Sequence, residues 1–166
     1  MAADWPLTSP YRFASLITHE GIHQALFIRE LEDSPVRPGS SGYSPWKKTL
    51  RPGRLVWHAF WTFTCQLVML CESLQLDQRL IARDPSLFSF LADMEARISV
   101  CLDSLKLTEV VTPKEFERCT SAFNILTGLI EELLVLPTFR KSRADAGDDV
   151  FGEFNNWAIE FMDSHS

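Results

Sequence analysis

The residues best spaced to do chemistry are His19-Glu20-Gly21-Ile22-His23, which spell H-E-x-x-H. On a helix, positions four apart share a face. Two imidazoles can then hold one zinc ion while the glutamate polarises a bound water. His19, Glu20 and His23 thus define one candidate, a small zinc-dependent hydrolase. Its surroundings weigh against it. No segment before His19 reads as the strand that would line up a substrate, and Gly21 weakens the helix that would carry the ligands. His58 or Glu30 could supply a third ligand, but no second motif supports either. The plainer reading is that Leu16, His19, His23 and Leu26 form a stripe at a partly buried helix edge.

Two further motifs have the form S-P-x-[KR]: Ser34-Pro35-Val36-Arg37 and Ser44-Pro45-Trp46-Lys47. Proline-directed kinases favour this form, so Ser34 and Ser44 are candidate phosphorylation sites. A phosphate would add about −1.5 to −2 charges to a basic segment. At the other end, Phe154, Trp157 and Phe161 are spaced as the anchors of an amphipathic helix seated in a partner's groove. The same three rings could instead dock on the chain's own body. No Gly-rich phosphate loop, G-x-S-x-G elbow or CxxC pair is present, and no cofactor is expected.

These residues need elements to position them. Ser9-Pro10 suits the start of a helix running to about Asp33, with Phe13, Leu16, Ile17, Leu26, Phe27 and Leu31 as its apolar stripe. Residues 34–54 are dense in Pro, Gly and Ser. They carry Arg37, Lys47, Lys48, Arg51 and Arg54 with no acid, and read as a long basic loop. Residues 55–76 form the most apolar helix. Within it His58, Thr62 and Gln66 recur every four positions, extend Arg54 just before it, and predict one wet stripe. That stripe, and a length below the roughly 20 apolar residues of a span, make a buried helix the better reading than a membrane segment.

Asp84-Pro85 is expected to cap and open a helix bearing Leu87, Leu91, Met94, Ile98, Cys101 and Leu105. Thr112-Pro113-Lys114-Glu115 has the form of a capping box. It opens a helix bearing Phe116, Cys119, Phe123, Leu126, Ile130 and Leu133. Both seams alternate steps of three and four, so helices at 86–107 and 113–136 should form an antiparallel hairpin. No strand is convincing, although 109–112 could form a brief extended link.

The bulk numbers fit this reading. A chain of 166 residues, 46% hydrophobic and 23% charged, is globular. Its net charge of −6 lies wholly in 145–166, where Asp145, Asp148, Asp149, Glu153, Glu160 and Asp163 stand without Lys or Arg. An acidic balance disfavours nucleic acid as the main partner. Met1 to Pro10 lack the features of a signal peptide. Cys65, Cys71, Cys101 and Cys119 sit in apolar runs and read as reduced packing thiols, pointing to the cytoplasm or nucleus.

The expected fold is all-α, an irregular bundle of about five helices. A bundle domain spans 1–136, with a linker at 137–149 and an acidic aromatic helix at 150–166. The expected function is a non-enzymatic interaction or regulatory subunit for a protein partner, with the zinc hydrolase and a membrane-associated helical protein as alternatives. Oligomeric state is left open.

Overall fold

The computed structural model describes residues 10–77, 79, 84 and 86–164, with side chains from Phe13 onward. Among these, five helices and one two-stranded hairpin are present: α1 (Pro10–Glu32), β1 (Ser41–Ser44), β2 (Thr49–Pro52), α2 (Gly53–Leu76), α3 (Leu87–Leu107), α4 (Pro113–Leu133) and α5 (Pro137–Ser164). The fold is an all-α bundle, as the periodicities require.

α2 is the central pillar. Its Trp57, Phe60, Leu67, Leu70 and Leu74 are almost wholly excluded from solvent. α1 runs antiparallel to it, since Ser15 meets Gln66 while Glu30 meets Arg54. α4 runs parallel to it: Glu115 takes the Trp57 and Trp61 indoles at one end, and Glu132 takes Gln75 at the other. α3 is antiparallel to α2, with the Cys101 thiol on the Val56 carbonyl at 3.5 Å. α5 returns parallel to α3, placing Phe139 on Phe88 and Arg143 on Glu95.

The capping box is half made. Thr112 Oγ1 accepts from the Glu115 backbone N–H at 3.3 Å. The reciprocal contact is absent because the Thr112 N–H donates to the Pro35 carbonyl, and the Glu115 carboxylate is used inside the bundle. The expected Asp84-Pro85 start shifts to Ser86, with Leu87 as the first helical residue and Pro85 outside the described residues. Asp84 still supports this end, accepting from the Ser86 hydroxyl at 2.6 Å. The Ser9 cap also lies outside the described residues. The 86–107 and 113–136 helices do turn back on each other, but their seams close chiefly on α2 and α5.

Three expectations are corrected. The basic loop contains an antiparallel hairpin with Tyr43 opposite Leu50. Its four-residue turn closes on Lys48, which has a left-handed φ of 54°. Burial of Tyr43 against α3 and α5 holds β1 despite its poor strand composition. At the start of α2, a side chain in place of Gly53 would come within 2.8 Å of Val110 Cγ1. That close approach lets the hairpin join α2 directly.

The expected 137–149 linker is the first half of the continuous helix α5. It is held by buried Phe139 and by a two-pronged ion pair between Arg143 and Glu95, with contacts of 2.8 and 2.6 Å. The third correction concerns the polar stripe of α2. His58, Thr62 and Gln66 are buried rather than wet, because α1 lies over them. The extended link at 109–112 is present as an isolated bridge between Val36 and Val111.

Candidate functional site

The buried stripe of α2 dictates which way α1 turns. A row of polar groups under cover needs partners. α1 supplies them from Ser15, His23 and Glu30: Gln66 donates to Ser15 Oγ at 2.5 Å, His23 Nδ1 lies 3.2 Å from His58 Nδ1, and His58 Nε2 lies 3.2 Å from Glu30 Oε1. Glu30 also receives Arg54 at 2.7 and 2.9 Å. Leu26 is the buried apolar residue of this face.

Most of the apolar stripe read from the sequence therefore looks outward. Phe13 is 49% exposed, Ile17 57%, Ile28 60% and Leu31 88%. α1 is an amphipathic helix with much of its apolar side toward solvent. Sequence periodicity finds such a face but not its direction. The deciding signal was the polar row on α2, read as wet, which takes a polar covering rather than an apolar one.

The two histidines of the H-E-x-x-H motif do come together, with ring centroids 4.9 Å apart, and His58 joins them at 5.5 Å from His23. These rings, with Phe27, Arg54 and Phe63, line a cavity of about 340 Å³. Burial lowers the affinity of His19 for a proton, with the neighbouring His23 adding to the effect. Burial lowers that of His58 as well, against the opposing pull of Glu30. Both His58 nitrogens are engaged, one by His23 and one by Glu30. Glu20 is exposed. Among the described residues no group of three His, Cys, Asp or Glu side chains is arranged to hold a metal ion. The donor set of a hydrolytic zinc centre does not fit this arrangement.

A second polar centre ties α1, α2 and α4 together. Glu115 is 1% exposed, and its Oε1 accepts from Trp57 Nε1 at 2.9 Å and Trp61 Nε1 at 3.0 Å. Its Oε2 accepts from Arg29, and from Arg118 at 3.4 Å. These contacts tie the carboxylate into the packing of three helices.

The two Ser-Pro motifs part company. Ser34 is exposed and its hydroxyl donates to the Val36 carbonyl at 3.2 Å. Ser44 is buried in β1, and its carbonyl accepts from the Lys47 and Lys48 N–H groups. Two of the loop's cations pair with the body, Arg37 with Glu109 and Arg54 with Glu30, and Lys48 pairs with the tail, at 2.5 Å from Glu153.

Of the three tail aromatics, Phe154 is buried and Trp157 stacks on Tyr43 at 4.9 Å. Phe161 stacks on Trp157 at 5.2 Å. The inner face of the tail thus docks on its own body. Among the described residues all four cysteines are free thiols. Cys65 is partly buried and the others are buried. Burial pushes the Cys71 thiol up to about 12. No helix among the described residues is long and apolar enough to cross a membrane.

The fold and these sites define an all-α bundle with an outward-facing amphipathic helix and interior polar clusters engaged in packing. No family model, curated protein or solved structure matches the chain.

Proposed function

We propose that the protein is a non-enzymatic interaction subunit that engages a protein partner through its helical surface, foremost the outer face of α1. One observation carries this reading: the four large apolar residues Phe13, Ile17, Ile28 and Leu31 are about half exposed or more along one face of a single helix. Large apolar side chains left exposed together on one helix face are the kind of surface that interaction sites use. Covering them would remove several hundred Å² of apolar surface from water. The C-terminal anchors expected from the sequence are the weaker docking surface, because Phe154 would first have to leave Tyr43 and Val100.

The test is a photo-crosslinking amino acid placed at Leu31, with a control at exposed Asn156 on the outer side of α5. An adduct from position 31 in cells, and none from position 156, supports the reading. No adduct at 31 removes it.

A further inference from the structure

The outer face of α1 has an order that names an occupant. Its outward positions run Phe13, Ile17, Glu20, Gln24, Ile28, Leu31, apolar at both ends and polar in the middle. We propose that this face pairs with the same face of a second copy of the chain. The two α1 helices would lie antiparallel about a two-fold axis crossing between Glu20 and Gln24. The inference rests on the reading of α1 as the docking surface and goes further by naming what docks.

Antiparallel alignment about that axis sets Phe13 against the partner's Leu31 and Ile17 against the partner's Ile28. It also sets Glu20 against the partner's Gln24. Because a two-fold interface is isologous, each of these contacts occurs twice. The central pairs match an acceptor to a donor: the Glu20 carboxylate takes an N–H of the facing Gln24 amide, so neither polar group is stranded when the ends close. A parallel alignment would instead bring each Glu20 beside its own copy, which like charge disfavours.

Gly21 lies beside the crossing point. A Cβ added there would meet nothing within 4 Å, so no contact inside one copy calls for glycine. A small residue at that place lets two backbones approach closely. The exposed area of the four apolar residues is roughly 500 Å² per copy, so the pair would bury about 1,000 Å², in the range of weak, transient interfaces. A face of that size suits a weak dimer rather than an obligate one.

Sedimentation equilibrium of the full chain, from about 1 to 200 µM, tests the proposal across the micromolar range. The wild type should dimerise. Leu31→Asp should raise the dissociation constant at least about a hundredfold while leaving the circular dichroism of the monomer unchanged, since Leu31 is 88% exposed. Gln24→Glu places two carboxylates in each central pair and should weaken dimerisation by about tenfold or more. The double variant Glu20→Gln/Gln24→Glu exchanges donor and acceptor and should restore the wild-type constant to within about threefold.

A wild type that stays monomeric, a dimer indifferent to Leu31→Asp, or a double variant no better than Gln24→Glu overturns the pairing. A monomer whose position 31 still crosslinks a different protein removes the pairing and leaves the docking reading standing. A monomer with no crosslink at 31 removes both.

Discussion

Replacing Glu115 by alanine should be among the most damaging single changes in the bundle. The carboxylate is the meeting point of three helices and has no solvent exposure to fall back on. Its removal leaves the Trp57 indole N–H, itself at 0% exposure, without its acceptor. An orphaned buried donor costs about 1–3 kcal/mol. Arg29 loses a charge-assisted bond of about 1.5–3 kcal/mol, partly recovered because its side chain keeps 28% exposure to water. Trp61 is only partly buried and can turn its N–H to water at smaller cost.

The sum is about 4 kcal/mol, in the range found for breaking one side of a buried charged pair. For a chain of this size that lowers the melting temperature by about 8–16 °C. Glu115→Gln keeps the acceptor facing both indoles but turns an amide N–H toward Arg29, and should cost about half as much. Urea unfolding of the three proteins gives the free energies. Indole N–H resonances of Trp57 and Trp61 report locally, moving far in the alanine variant and little in the glutamine one. An alanine variant less than about 1 kcal/mol below the wild type would refute the view that this carboxylate holds α1 and α4 to α2.

Two other outcomes follow from the same geometry. The partly buried His19 and the buried His58 bind protons less readily folded than unfolded, so their contribution is whole above the ordinary histidine range and shrinks as pH falls below it. Unfolding free energy should fall between pH 7.5 and 5.5 by at most about 1.4 kcal/mol per pH unit for each histidine, with a smaller slope in His19→Asn; an unchanged slope would assign the effect elsewhere. Glu95 and Asp103, whose carboxyls burial pushes up, act in the opposite sense, from the ordinary carboxylate range upward. Deleting 145–166 should destabilise the bundle by about 5 kcal/mol or more, because it strips Val150 and Phe154 from Tyr43 and Val100. Unaltered helicity and stability in the remaining chain would show the tail to be dispensable to the core.

The helices were legible where a local signal had a single physical meaning. Thr112 before Pro113, and seams such as Leu91-Met94-Ile98, specify a start and a buried stripe wherever the helix packs. The hairpin was hidden because its stability comes from elsewhere. Tyr43 is pinned by Ala96, Val100 and Phe154, and its N–H donates to Ser104 Oγ at 2.7 Å, neither of which local composition encodes.

The first half of α5 was hidden for a related reason. Thr138 to Asp149 carries few apolar residues, and one buried ring and one ion pair are enough to hold it. The candidate site was half legible. His19, His23 and His58 could be singled out by type, but the burial of His58 beneath α1 and the outward turn of the apolar stripe depend on two helices satisfying each other's polar groups. The Phe154-Trp157-Phe161 spacing revealed a sticky face without saying what it adheres to.

The docking of α5 on the hairpin has a consequence for the order of assembly. Lys48 and Glu153, which close this contact, lie 105 residues apart in the chain. Joining segments so distant forfeits chain entropy before any contact rewards it, and such steps slow folding. The pairings of α1 with α2 and of α3 with α4 link neighbours in sequence and can form early. Tyr43 and Val100 then wait, uncovered, for the arrival of Val150 and Phe154. A collapsed intermediate with that small second core open is the species most prone to self-adhesion during refolding.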